Sequence, residues 1–403
     1  MEANQQVKTT AVKGTDTARE VRGLVKNIYK SAHEAKANGQ KVALPTENYA
    51  GLCAAKRDMD RFLLKAEADG YSQVLCSYAR IGLGFDSLRK ELGRIPDESP
   101  DGGMPVPDMM VGSSAVCDPR FKWFQATSRY LDAPTFGMDV VAPPPQDDLN
   151  DVRDYYIKYQ RDQLLALIEF LERQTGKKMD KERLWEAIRL GDKAWQLWYD
   201  IDRLRVAVPS PMPSQDHFSI MVAGHYYSGT QVAVDFYQKL YDEVKYKVDH
   251  KIGVIPDEKY RILYGGGLPP WHTLWIFNYF ESFGAVFVIE NVYRGYDPVE
   301  VPAHVKDPVD FLAWRAFLRF TRYHEKARAR SGNPTVEKLL GLIEDYKIDG
   351  VVFHACRSCR ATTIGQTHIK SELGKFSSIP MMQLVSDMVD LRDYSEALQG
   401  RGK

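Results

Sequence analysis

Apolar positions change their period along this chain, and the changes divide it into parts. From about Ala18 to Lys36 they recur at helical spacing, until Asn38-Gly39 stops the run. A second helical stretch runs from about Tyr49 to Ala68 and ends at Asp69-Gly70. Three short apolar runs follow, Gln73–Cys76, Met109–Gly112 and Thr135–Val141, whose lengths and flanking Gly and Pro predict buried strands. Between the first two, Ile95 to Pro107 predicts a long loop. Pro143-Pro144-Pro145 then marks a boundary, since three prolines in a row join neither a helix interior nor a central strand. Past it, Ile157, Leu164, Ile168 and Leu171 share one helical face. After an N-cap at Asp180, so do Leu184, Ile188, Trp195 and Trp198.

Pro209-Ser210-Pro211-Met212-Pro213 resets the chain. Further on, apolar runs at Ile262–Tyr264, Ala285–Ile289, Gly350–Phe353 and Met381–Val385 alternate with amphipathic stretches. That β-α-β-α rhythm predicts a parallel sheet covered by helices. The class is therefore α/β. The expected parts are an N-terminal arm and helix (1–40, with 1–17 loose), a first α/β lobe (41–145), a helical hairpin (146–207) and a second α/β lobe (208–403).

Composition narrows the function. With 403 residues, two or three packed domains are expected, and 44% apolar with 27% charged residues is a globular balance. Lys+Arg and Asp+Glu both total 54, which argues against nucleic acid or an anionic membrane as the main partner. No stretch approaches the roughly 18 apolar residues of a membrane span, and Met1 to Thr17 is no apolar signal segment. Five cysteines in such a chain suit metal or redox chemistry better than a disulfide framework. These features together point to the cytoplasm.

Ligands of open parallel sheets bind beyond the carboxyl ends of the strands. Cys76 closes the first predicted strand, and Cys117 follows the second. Gly265-Gly266-Gly267, Cys356 with Cys359, and Ser386-Asp387 follow strands of the second lobe. Thiolates suit iron–sulfur clusters and zinc, and Arg80, Arg120 and Arg360 lie near enough in sequence to favour the thiolate. Any one of these cysteines also suits a small core position, the reading that fits Cys53 in its helical stretch best. Cys356–Cys359 is a single CxxC, a moderate signal only. The glycines suit either a phosphate-cradling turn or a tight turn without a ligand. His217, His225, His272, His354 and His368 are acid–base candidates that serve as readily as structural histidines. Trp271 to Phe283 reads as helix core, with an aromatic substrate wall as the alternative.

With these residues in view, the chain resembles the 2-hydroxyacyl-CoA dehydratase and benzoyl-CoA reductase family from about Lys41 to Ala397. The resemblance is carried by Glu47-Asn48-Tyr49-Ala50, Leu75-Cys76-Ser77-Tyr78-Ala79-Arg80, Cys117-Asp118-Pro119-Arg120, Arg357-Ser358-Cys359-Arg360 and Asp387-Met388-Val389-Asp390-Leu391-Arg392. Ile81 to Gly112, and Cys117 running on into Phe121-Lys122-Trp123-Phe124, look closer to the ring-reducing branch. The resemblance implies two Rossmann- or flavodoxin-like lobes with an intervening helical segment. It also implies a [4Fe-4S] cluster on Cys76, Cys117 and Cys359, with Cys356 as the fallback third ligand, and a proton-transfer role for Glu47. The implied partners are a related cluster-bearing subunit, an ATP-hydrolysing iron–sulfur activator and a CoA thioester substrate. Lys41 to Pro45 runs almost straight into Glu47, a shorter lead than the family usually has, which weakens the carry-over to Glu47.

Overall fold

The computed structural model describes residues 14–45, 59–115, 117–271, 274–390 and 392. Glu47, Cys53 and His272 lie outside the described residues, as does most of the helix expected over 49–68, of which Asp60–Ala68 is seen as helix.

Two all-parallel sheets carry the two lobes, as the alternating pattern predicts. The first has three strands in the order β1 (Ala43–Pro45), β2 (Met109–Ser113) and β3 (Thr135–Met138). The second orders its four strands β5-β4-β6-β7, with β4 Tyr260–Tyr264, β5 Ala285–Glu290, β6 Gly350–Cys356 and β7 Met381–Ser386. Counted within the lobe this is 2-1-3-4, the flavodoxin-like order short of a fifth strand, and its switch point falls between β4 and β6. β5 and β6 are buried at every position, as strands covered on both faces must be.

The expected strand at Gln73–Cys76 is not one. These residues form a turn in which Leu75 N–H donates to Ser72 O (3.0 Å), with Gly70 at φ +92° just before it and Val74 largely exposed. The first lobe takes its edge strand instead from Ala43–Pro45, where Pro45 is tolerated because only one side must pair. Thr135–Val141 is strand only as far as Met138.

The span expected as a hairpin forms two long helices, Leu149–Thr175 and Lys181–Leu204, that pack on different partners, the first through Ile157 on Ala313 and Phe317; Asp180 caps the second by accepting from Glu182 and Arg183 N–H (2.9 and 3.2 Å). Two further helices, Ser214–Tyr226 and Gln231–Asp249, bury Met221, Phe236, Tyr237 and Leu240 against Leu197, Trp198 and Ile201 of Lys181–Leu204. The end of the N-terminal arm is tied down rather than loose. Thr15 donates through N–H and Oγ1 to Asp216 (2.5 and 2.8 Å), and Thr17 does the same to Glu243 (2.9 and 2.7 Å). Among the described residues no helix is long and apolar enough to cross a membrane.

Candidate functional site

The carboxyl ends of β6 and β7 meet the start of the helix Ser77–Leu92, where Ser358 and Asp387 bond Ser77 beside Cys76. Cys76 is the N-cap of that helix, and Cys117 is the N-cap of Asp118–Leu131, directly after β2. Cys356 ends β6, and Cys359 follows across a short turn, its N–H donating to Cys356 O (3.2 Å). Cys76, Cys356 and Cys359 share one packed cluster with Met59, Phe62, Ile81, Met388 and Val389.

Electrostatics joins the three thiols that the resemblance singles out. Burial pushes the Cys76 thiol up to about 12, the N–H groups of Ala79 and Tyr78 partly offset this, and Cys359 and Cys117 push it higher. A negative charge on either neighbour resists one on Cys76, so a compensating cation would favour the Cys76 thiolate. The amino ends of the 16- and 14-residue helices behind Cys76 and Cys117 also favour negative charge there. Among the described residues no three His, Cys, Asp or Glu side chains group closely enough to hold a single metal ion. A cluster differs from an ion in offering separate iron corners to thiolates from separate segments. Donor type, buried surroundings and helix-end charge suit it.

Burial pushes the Cys356 thiol well up, and the Asp387 carboxylate pushes it further. Arg80, expected to favour the Cys76 thiolate, is spent elsewhere: fully buried, it pairs with Glu67 (2.7 Å) and Asp390 (2.9 Å). Arg360 is exposed, and Arg120 lies over the Phe124 ring at 5.5 Å.

The remaining candidates separate into structure and wall. His354 is buried, with Nδ1 2.7 Å from Leu268 O and Nε2 2.8 Å from Ser386 Oγ; burial lowers its pKa, so the neutral ring links the glycine turn to β7. His217 is buried in an ion network with Arg205, Asp202 and Glu290. His368 is exposed and stands 4.0 Å from Glu372. None of Gly265, Gly266 and Gly267 has positive φ. A Cβ would strike Val351 at the first, His354 at the second and Thr362 at the third, so close approach to β6 and the turn beyond it is what demands them. In the aromatic run Ile276 and Phe277 are core, as expected. Trp271 is instead half-buried beside the cysteines, where its Nε1 donates to Tyr78 Oη. Its ring meets Tyr293 at 6.2 Å and Phe218 at 6.1 Å. Tyr293 holds a left-handed backbone (φ 53°), strain of the kind that collects at working sites. Tyr78 stood in plain view next to Cys76; no sequence signal pointed to Tyr293.

Comparison with known proteins identifies a family. Residues 43–401 match the family described as 2-hydroxyglutaryl-CoA dehydratase, D-component. The (R)-phenyllactyl-CoA dehydratase alpha subunit of Clostridium sporogenes is 28% identical over 366 residues, 89% of this chain and 82% of its own. The (R)-2-hydroxyisocaproyl-CoA dehydratase alpha subunit of Clostridioides difficile is 26% identical, covering 87% and 81%. A benzoyl-CoA reductase subunit of Thauera aromatica is also 26% identical, covering 83% and 76%. Dehydratases and a reductase thus lie in one range of identity, which does not divide the two activities.

Proposed function

This chain belongs to the 2-hydroxyglutaryl-CoA dehydratase D-component family, whose members act on CoA thioesters, and on that premise we propose that it is the cluster-bearing subunit of an ATP-dependent benzoyl-CoA reductase. A [4Fe-4S] cluster would be held by Cys76, Cys117 and Cys359. The observation that carries the reading is the meeting of Cys76, whose thiol feels both Cys359 and Cys117, with a half-buried aromatic wall of Tyr78, Trp271 and Tyr293.

When bound, the cluster supplies single low-potential electrons to the thioester. The chain's own residues have the other tasks. Ala79 and Tyr78 N–H groups favour charge on the Cys76 sulfur, and the helix behind Cys117 does so there. Trp271, donating to Tyr78, fixes both rings as one surface. A flat apolar acyl group suits such a wall, which offers ring faces and excludes water. A 2-hydroxyacyl group would need a partner for its hydroxyl, whose burial unpaired costs about 1–3 kcal/mol. Electrons would come from a separate ATP-hydrolysing iron–sulfur protein. A related subunit would complete the enzyme, a reading supported by the relatives' being named as subunits of larger enzymes.

A 2-hydroxyacyl-CoA dehydratase is the second reading, favoured by the names of several relatives. Anaerobic purification with partner and activator, followed by ATP-driven turnover of both thioester classes, separates the two. Benzoyl-CoA should be consumed and yield a cyclic diene thioester. Brisk dehydration of a 2-hydroxyacyl-CoA with benzoyl-CoA untouched would reverse the order.

A further inference from the structure

Asp387 follows the last residue of β7 and stands between the cysteine segments. Its Oδ1 accepts from Ser77 Oγ (2.7 Å), Val389 N–H (3.0 Å) and Asp390 N–H (2.9 Å). Ser77 is the residue after Cys76. Its N–H donates to Ser358 Oγ (3.2 Å), and Ser358, the residue before Cys359, donates back to Ser77 Oγ (3.1 Å). A chain of two hydroxyls therefore runs from beside Cys359, past Cys76, onto one carboxylate. Among the described residues no Lys, Arg or His pairs with that carboxylate, although Arg80 and Arg392 pair with Asp390 three residues on. Its charge is felt around it, adding to the upward push on the Cys356 thiol and offsetting part of the lowering that burial imposes on His354.

A negative charge left unpaired beside thiols that must themselves become negative works against assembly of the site, and a departure of this kind marks a functional position. Net charge and hydrogen bonding near the sulfurs set a cluster's reduction potential, and each added negative charge makes the reduced form harder to reach. We propose that Asp387, carried on the Ser77–Ser358 hydroxyl chain, is a positioning residue. It fixes the Cys76 and Cys359 segments relative to each other and lowers the potential of the cluster they hold. The inference rests on the cluster reading above and adds to it which residue makes the electron strongly reducing.

Asp387→Asn removes the charge and nearly keeps the shape, and Asp387→Glu keeps the charge. Each is compared with the unsubstituted full-length protein, purified anaerobically with its partner subunit, by iron and sulfide content and by a redox titration followed by electron paramagnetic resonance. The midpoint potential should rise in Asp387→Asn and stay near its original value in Asp387→Glu, with iron retained in both. If Asp387→Asn takes up no iron, Asp387→Ser replaces it with the same expected rise. Iron-loaded Asp387→Asn or Asp387→Ser at the unsubstituted potential would overturn this inference alone, and so would loss of iron from all three variants, which would leave Asp387 a purely structural part. Unsubstituted protein lacking iron and sulfide would overturn the cluster reading beneath it.

Discussion

Two polar networks tie the first turn of the helix Ser77–Leu92 to the end of β7, and they follow opposite rules. One joins Arg80 and Glu67 of the first lobe to Asp390 and Arg392 of the second, two cations and two carboxylates. Arg80 bonds both carboxylates, and so does Arg392 (2.5 Å to Glu67, 2.7 Å to Asp390). The other joins Ser77 and Ser358 to Asp387 and ends on a carboxylate with no cation partner among the described residues. They are only three residues apart on each segment: Ser77 and Arg80 on one side, Asp387 and Asp390 on the other. A balanced network is built to hold two lobes together, whereas an unbalanced one leaves a field where the cysteines meet. Fold stability and site chemistry are thus divided between adjacent turns of the same seam.

The sharpest way to break that division is to remove the thiols. Anaerobically purified protein should carry about four iron and four sulfide for this chain. Cys76→Ala, Cys117→Ala and Cys359→Ala should each lose most of it, whereas Cys356→Ala should not. Iron lost from Cys356→Ala and kept in Cys359→Ala would move the third ligand to the strand end. Next in size is the charge-balanced network. Arg80→Met removes the buried cation and leaves Glu67 and Asp390 to Arg392 alone, which should cost about 3 kcal/mol in urea unfolding, the low end for breaking a buried pair. The paramagnetic signal of whatever cluster remains should be unchanged, and a shifted signal would show that the two networks are not separate. Gly267→Ala acts on the site side, because the added Cβ meets Thr362 in the turn after Cys359. Overpacking there should cost about 2–3 kcal/mol and, unlike Arg80→Met, disturb that signal.

Long periodic elements were legible in the sequence, and short ones were not. The two long helices, the Asp180 cap and all four strands of the second lobe can be read from apolar period and punctuation, and for β5 and β6 burial on two faces imposes the continuous apolar run. Gln73–Cys76 misled because three apolar residues after Gln73 also fit a turn that leads into a helix, with Val74 in solvent. The edge strand Ala43–Pro45 escaped notice because three residues ending in proline carry almost no period. At the site, the cysteines could be found from their type and from family resemblance. Their neighbours' roles could not. Nothing local says that Arg80 turns away from Cys76 toward Glu67 and Asp390, since Asp390 lies 310 positions further along and only the folded seam brings it near. Trp271 and Tyr293 became a wall for the same reason.

The smallest effect is acid lability, and because Asp108 is also held down to about 2, the balanced network is read from the difference that Asp390→Asn makes. Burial tends to raise the Asp390 carboxyl, but hydrogen bonds from Arg392 and Arg80 outweigh it and bring the value from 3.8 down to about 2. Hydrogen bonding from Arg392 likewise lowers Glu67, against the opposing effect of burial. A carboxylate whose folded pKa lies below its unfolded one contributes stability that is complete above the unfolded value. That stability fades as pH falls through the folded value. For Asp390 the window is therefore from about 4 down to about 2, and the full loss is roughly 2 kcal/mol, the shift taken at 1.36 kcal/mol per unit. Above about pH 5 neither carboxylate should give any pH dependence. Urea midpoints of the metal-free protein measured between pH 6 and pH 3 should hold level and then drop at the acid end, and Asp390→Asn should flatten that drop while lowering the plateau. A drop of equal size in Asp390→Asn would place the acid-sensitive charges elsewhere. The seam would then be held chiefly by its apolar contacts, with the four charges contributing little.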